Sequence, residues 1–123
     1  MAGTIVADTL THSTAGSLTT DYVVNGSAKA WVFGDYSASF FVSNSLNVSS
    51  GTDHGTGDMS YALTNAFDAS DYASLTDVHT SGLNHCHTST DRKAAGTLAI
   101  ETYNSSNTQQ DKANYVCGLG DLA

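Results

Sequence analysis

Asn25-Gly26-Ser27-Ala28-Lys29-Ala30-Trp31-Val32-Phe33 contains the only tryptophan of this 123-residue chain and its densest short apolar run. In an extended strand Ala28, Ala30 and Val32 share one face, and Lys29, Trp31 and Phe33 share the other. The stretch therefore reads as a central strand of a β fold. Its face of small side chains is an expected subunit contact.

Downstream, Gly34-Asp35 is a plausible turn into a second strand over 37–42, with Ala38, Phe40 and Val42 inward and Phe41 opposite. Ser45 to Ser50 reads as a strand with Leu46 and Val48 on one face. It enters a glycine-rich turn region, Gly51 to Asp58, after which Met59, Tyr61 and Leu63 alternate with Ser60, Ala62 and Thr64. Asn65 to Asp71 reads as a loop with Phe67 as an anchor. Tyr72, Ser74, Thr76 and Val78 then alternate with Ala73, Leu75, Asp77 and His79.

Leu98 and Ile100 mark a further strand, Asn104 to Asp111 a polar hairpin loop, and Ala113 to Leu119 a returning strand. Upstream, residues 3–10 alternate weakly, Thr11 to Asp21 reads as a polar linker, and Tyr22 to Val24 restarts regular structure. Counting all segments gives seven to nine short strands. The expected fold is all-β, an antiparallel, jelly-roll-like β-sandwich, with residues 1–24 as an N-terminal arm and 25–123 as the sandwich domain.

Composition supports this class. There is no proline, there are 11 glycines, and Ser, Thr, Asn and Asp abound, which favours short strands and turns over long amphipathic helices. The net charge is −8, with Lys29, Arg92, Lys93 and Lys112 as the only fixed cations. A nucleic-acid partner is not expected, because a phosphate backbone calls for clustered Lys and Arg. Membrane insertion is not expected either, because no apolar run approaches the roughly 20 residues of a spanning helix. The N-terminus lacks the charged and apolar blocks of a secretory signal, so assembly in a cytoplasm is expected. Cys86 and Cys117 fit no zinc or redox spacing and read either as two reduced thiols or as a disulfide formed later, closing a loop of about 30 residues.

Three separated stretches carry a resemblance: Asn25 to Phe33, Ser45-Leu46-Asn47-Val48-Ser49-Ser50 with Gly55-Thr56-Gly57-Asp58-Met59-Ser60-Tyr61, and Glu101-Thr102-Tyr103-Asn104-Ser105-Ser106. In order, over roughly residues 25–120, they resemble a domain found at the ends of tail fibres and in short virion proteins of tailed bacteriophages. The resemblance implies a structural protein of the virion, assembled in the bacterial host cytoplasm and attached to capsid or tail as a decoration, head-fibre or fibre-tip protein. It also implies homotrimers, with an N-terminal arm packed against another subunit. Expected contact residues with a subunit or another virion protein are Ile5, Val6, Leu10, Ala28, Ala30 and Val32.

The alternative is a receptor-binding module that recognises host surface glycan through the loops 51–58 and 80–93, with Asp53, His54, Asp58, His85, His87 and Arg92 facing the ligand. His85 and His87, two apart on a strand, share a face and are the metal candidates. A lone His-x-His pair is nevertheless a less specific signal than a four-ligand motif, and no metal or other cofactor is expected. Asp53 and Asp58 lack the spacing of a calcium loop. No catalytic residue is nominated: Gly-x-Ser-x-Gly is absent, and Glu101, the only glutamate, reads as an outward solvated side chain in a strand.

Overall fold

The computed structural model describes residues 6–36, 41–79 and 82–123. In chain order the elements are β1 (Thr9–His12), β2 (Gly16–Thr19), α1 (Thr20–Gly26), β3 (Ala28–Asp35), β4 (Phe41–Leu46), β5 (Val48–Gly55), β6 (Asp58–Leu63), β7 (Ala73–Val78), β8 (His85–His87), β9 (Thr97–Tyr103) and β10 (Asn114–Leu119). Eight of the strands form two four-stranded antiparallel sheets, ordered β4-β3-β10-β7 and β5-β6-β9-β8, packed as a sandwich. β3 pairs antiparallel with β4 in the first sheet, and β5 with β6 in the second through the turn at Thr56-Gly57.

Alternation explains the core. Ala30 and Val32 of β3 and Val116 of β10 point from the first sheet onto Met59 and Tyr61 of β6 and Leu98 and Ile100 of β9, and all are at most 1% exposed. Burying each of the larger aliphatic side chains stabilises the fold by about 1.5–3 kcal/mol. The stacked rings of Phe67 and Tyr72, 4.3 Å apart, join the same cluster, so the loop after β6 does anchor through Phe67.

One buried polar group crosses this core. The Tyr61 hydroxyl of β6 donates to Asn114 Oδ1 of β10 at 2.7 Å, and Asn114 Nδ2 donates to Lys112 O at 3.0 Å and to Met59 sulfur at 3.2 Å. Burial raises the Tyr61 pKa well above its ordinary value, so the phenol keeps its proton. Gly34 makes room for that hydroxyl: a Cβ there would lie 2.0 Å from it.

Several sequence expectations change. Ala30 and Val32 are core residues, 0% and 1% exposed, covered by the chain's own second sheet and not available as a subunit contact. Ala28, at the start of β3, is exposed. Gly34-Asp35 continues β3 instead of turning, because Gly34 pairs with both Val42 and Asn114. Of the strand expected over 37–42, residues 37–40 lie outside the described residues; Val42 belongs to β4. Ile5 also lies outside them.

Ser45 to Ser50 is not one strand. Asn47 adopts a φ of 59°, and there the chain passes from the first sheet to the second. Its amide secures the corner by accepting from Asn65 N at 2.8 Å and donating to Asn65 O at 2.9 Å. The region 51–58 is mostly β5, turning only at Thr56-Gly57. The expected hairpin loop does fold back after β9, with Tyr103 bridged to Gln109, but the chain then crosses to the first sheet, so β10 does not pair with β9. Cys86 bonds to Thr76 inside the sandwich, whereas Cys117 pairs with Trp31 and Leu75 on the outer face, so the first sheet separates the thiols. Both are free, which answers the disulfide alternative in this fold.

The expected linker after residue 11 contains the β1–β2 hairpin and α1. Among the described residues of this arm none is buried: no residue of α1 is buried, and β2 is exposed throughout. Val6 is 93% exposed and Leu10 46%, so both expected contact residues are open. No helix among the described residues is long and apolar enough to cross a membrane.

Gly34→Ala should push the Tyr61 hydroxyl off Asn114 and cost about 2 kcal/mol or more in urea unfolding. Gly96→Ala, where a Cβ meets nothing within 4 Å, serves as the control and should stay within about 0.5 kcal/mol of the parent.

Candidate functional site

The outer face of the sheet β5-β6-β9-β8 gathers most of the chemistry in this chain. Register places Asp58 of β6 and His87 of β8 on either side of Glu101 of β9, and His85 beside Tyr103. Asp58 and Glu101 are like charges directly opposite, an arrangement that destabilises an antiparallel pair unless each is compensated. Both are. Arg92 holds Asp58 through Nε, at 2.9 and 2.8 Å from its two oxygens, and through a terminal nitrogen at 2.8 Å. Such a fork is stronger and more directional than a point charge.

Glu101 receives the Tyr103 hydroxyl at 2.5 Å and Gln109 Nε2 at 3.4 Å, with His87 Nε2 at 3.6 Å. Tyr103 and, secondarily, Ser89 and His87 hold its carboxyl below the usual carboxylate range against the opposing effect of burial. The same contact raises the Tyr103 pKa, since a phenolate would face the carboxylate. The Tyr103 ring stacks with both imidazoles, His85 at 5.2 Å and His87 at 5.1 Å. His85 Nε2 donates to Asn107 Oδ1 at 3.0 Å, and His87 Nε2 lies 3.1 Å from the Tyr103 hydroxyl.

The segment 88–96 straps this face. Lys93 N donates to Ser89 O at 3.1 Å, and Thr97 N to Ala94 O at 3.0 Å. Lys93 Nζ donates to Tyr72 O at 2.6 Å and lies 4.4 Å from the Tyr72 ring centroid. The two cations of the segment thus tie it down, Arg92 at Asp58 and Lys93 at the Phe67–Tyr72 end. Ala99 faces outward by alternation on β9 yet is 0% exposed, and Ser89 is 1% exposed.

Five of the six expected ligand-facing residues therefore share one face. His54 reaches it from β5, with Nε2 2.7 Å from the Ser60 hydroxyl; Asp58 and His87 flank Glu101, Arg92 is held on Asp58, and His85 lies beside Tyr103. Asp53 does not join them; its carboxylate accepts from Gly55 N at 2.9 Å and bonds to Tyr36. Arg92 has its guanidinium on Asp58, which makes it first a fastening of the strap.

Among the described residues no three His, Cys, Asp or Glu side chains are arranged to hold a metal ion, and both members of the His-x-His pair are engaged with Tyr103. Sequence reasoning missed Glu101, Ser89, Asn107 and Gln109 as members of the cluster; Tyr103 is readable from sequence only as one of several tyrosines able to stack on a sugar ring. Alternation placed Glu101 outward but could not show that β8 and β6 flank it.

What the arrangement offers is a ring platform, Tyr103 with His85, rimmed by amide and carboxylate groups from Asn107, Gln109 and Glu101. Aromatic faces beside hydrogen-bonding groups suit sugars and polar protein surfaces. Comparison with known proteins finds no match for this chain among family models, curated proteins or solved structures.

Two outcomes follow. Glu101 has a lowered pKa in the folded state, so its contribution to stability is present above the ordinary value of 4.5 and is lost as pH falls through the folded value. Unfolding free energies measured across that acid range should therefore decline in the parent protein, with a shallower decline in Glu101→Gln. Arg92→Ala should release the strap, seen as faster amide hydrogen exchange at Lys93 and Thr97 with the β3 and β10 amides unchanged.

Proposed function

We propose that this chain is a non-enzymatic structural protein of a tailed-phage virion surface, attached to capsid or tail, whose arm makes the attachment and whose sandwich is displayed. The observation that carries the reading is the division of labour within the chain. The sandwich closes its own core, while the arm exposes Val6, Leu10, Leu18, Tyr22, Val23 and Val24 without burying any residue of α1. A seven-residue helix is too short to be stable by itself in water, so a segment of this kind gains order by packing on a partner.

The sequence resemblance supplies the virion setting; its three stretches cover the end of α1 with β3, the corner and β5–β6 hairpin, and the end of β9 with the turn after it. A net charge of −8 suits a displayed, repulsive surface. Homotrimers are part of the proposal.

A second reading has its own observation. The face around Tyr103 and Glu101, with His85, His87, Asn107 and Gln109, has the makings of a receptor site for host surface glycan. Under it the free protein competes with phage for adsorption to host cells.

The decisive experiment is cryo-electron microscopy of virions with and without this protein. Symmetric protrusions lost from the capsid mean decoration, and density lost only at the tail means a fibre tip with adsorption as the next assay. Unchanged virions from the deletion strain would sink the structural reading.

A further inference from the structure

The outer face of the sheet β4-β3-β10-β7 holds a notch with its own chemistry. Register sets Leu46, Trp31, Cys117 and Leu75 in one row across the four strands, and Phe33, Tyr115 and Asp77 in the row beside it. Cys117 is the smallest of these side chains, and with it Trp31, Leu75, Tyr115 and Asp77 line a cavity of about 250 Å³.

The walls are apolar and open: Leu75 is 63% exposed and Tyr115 42%. The rim carries a carboxylate. Asp77 stands opposite Tyr115 in register, its Oδ1 accepts from Val78 N at 2.8 Å, and it takes part in neither ion pair among the described residues. One side of the Tyr115 ring rests on Phe33, stacked at 4.7 Å, and His79 meets both rings edge-on. Phe33 lies toward β3 and Asp77 toward β7, so the other side of the ring is the one nearer the carboxylate.

The cation of this face is committed elsewhere. Lys29 precedes Trp31 on the same side of β3, and its ammonium donates to Val24 O of the arm and to the Ser27 hydroxyl at 2.7 Å. From β3 to β7 the sheet spans two strand spacings, roughly 10 Å. Asp77 therefore borders aromatic and aliphatic walls with no counter-charge beside it among the described residues.

We propose that the notch takes the side chain of a lysine presented by a partner protein. A primary ammonium has N–H groups for the carboxylate and a charge for the ring face, while its four-carbon stem is apolar. Leu75 and Asp77, two residues apart along β7, are separated by about 7 Å, a distance suited to that stem. The stem lies on Leu75 and Trp31, and the ammonium sits between Asp77 and Tyr115. A protein is the source because the apolar row continues past the notch to Leu46, 48% exposed, which a free amine would leave in water. A net charge of −8 draws a basic partner to the whole surface. The contact uses neither the arm nor a second copy, so the virion reading can fail without it.

The test uses the purified full chain and acetyl-leucyl-lysyl-leucine amide as the probe, with norleucine replacing lysine in the neutral control. Trp31, the only tryptophan, walls the notch, so its fluorescence reports occupancy directly. The lysine peptide should saturate the signal with a Kd about fivefold below that of the control, as an exposed ion pair and a cation–π contact together provide. Asp77→Asn, an exposed change on an edge strand, should erase that difference and leave the control's binding and the circular dichroism spectrum unchanged.

Equal affinity for the two peptides, or a lysine preference that persists in Asp77→Asn, would overturn the assignment. Tighter binding of the trimethyllysine peptide would give the notch to a quaternary ammonium instead, and no fluorescence change with any peptide would remove the site. Self-association of the purified chain that Leu75→Asp abolishes would place a second copy there and refute the lysine.

Discussion

The Tyr61–Asn114 hydrogen bond is the constraint on which the sandwich depends. Apolar packing alone would tolerate several ways of sliding one sheet over the other, because dispersion and the hydrophobic effect have little direction. A buried phenol and a buried amide do not tolerate it. If β10 slipped by one residue, Asn114 would leave the core and Tyr61 would keep an unsatisfied hydroxyl there, a loss of about 1–3 kcal/mol. Gly34 completes the arrangement, since only a residue without a Cβ lets β3 pass so close to the hydroxyl. Three strands, β3, β6 and β10, are thereby keyed to one point.

With the sheets keyed, the outer faces acquire opposite characters. The second sheet turns two carboxylates, Asp58 and Glu101, to the outside in direct register. Their repulsion is relieved by groups that also do structural work: Arg92 fastens the strap, and Tyr103 supports the two histidine rings. A face built by compensating charges becomes rigid and polar. The first sheet turns to the outside an apolar row in which Leu46 and Leu75 stay exposed among the described residues. The row itself carries no acid; Asp77 stands beside it, opposite Tyr115.

The arm and the sandwich obey different rules. The sandwich gains its stability locally, from ring and aliphatic side chains removed from water. The arm holds apolar side chains in water and orders them with a hairpin and a short helix, neither of which is sufficient alone. The resulting division is between a sandwich that closes its own core and an arm none of whose described residues is buried.

The sequence alone determined the fold class and much of the alternation. The period-2 patterns of Ala30 and Val32, Met59 and Tyr61, and Leu98 and Ile100 are decided locally, and they set which side chains share a face. The same locality limits what can be read. Alternation states that Ala30 and Val32 share a face but not whether that face meets a second sheet or a second subunit, and the structure assigns it to the second sheet.

Asn47, inside a stretch that reads as one strand, turns a corner because a left-handed backbone and its bonds to Asn65 outweigh the pattern around it. Most of the candidate site lay equally beyond sequence. His85 and His87 were visible as a pair, whereas their meeting with Glu101 and Tyr103 follows from strand pairing across a long loop. Such pairing is a long-range choice settled by how the whole core closes, and the separation of Cys86 from Cys117 by a sheet was settled in the same way.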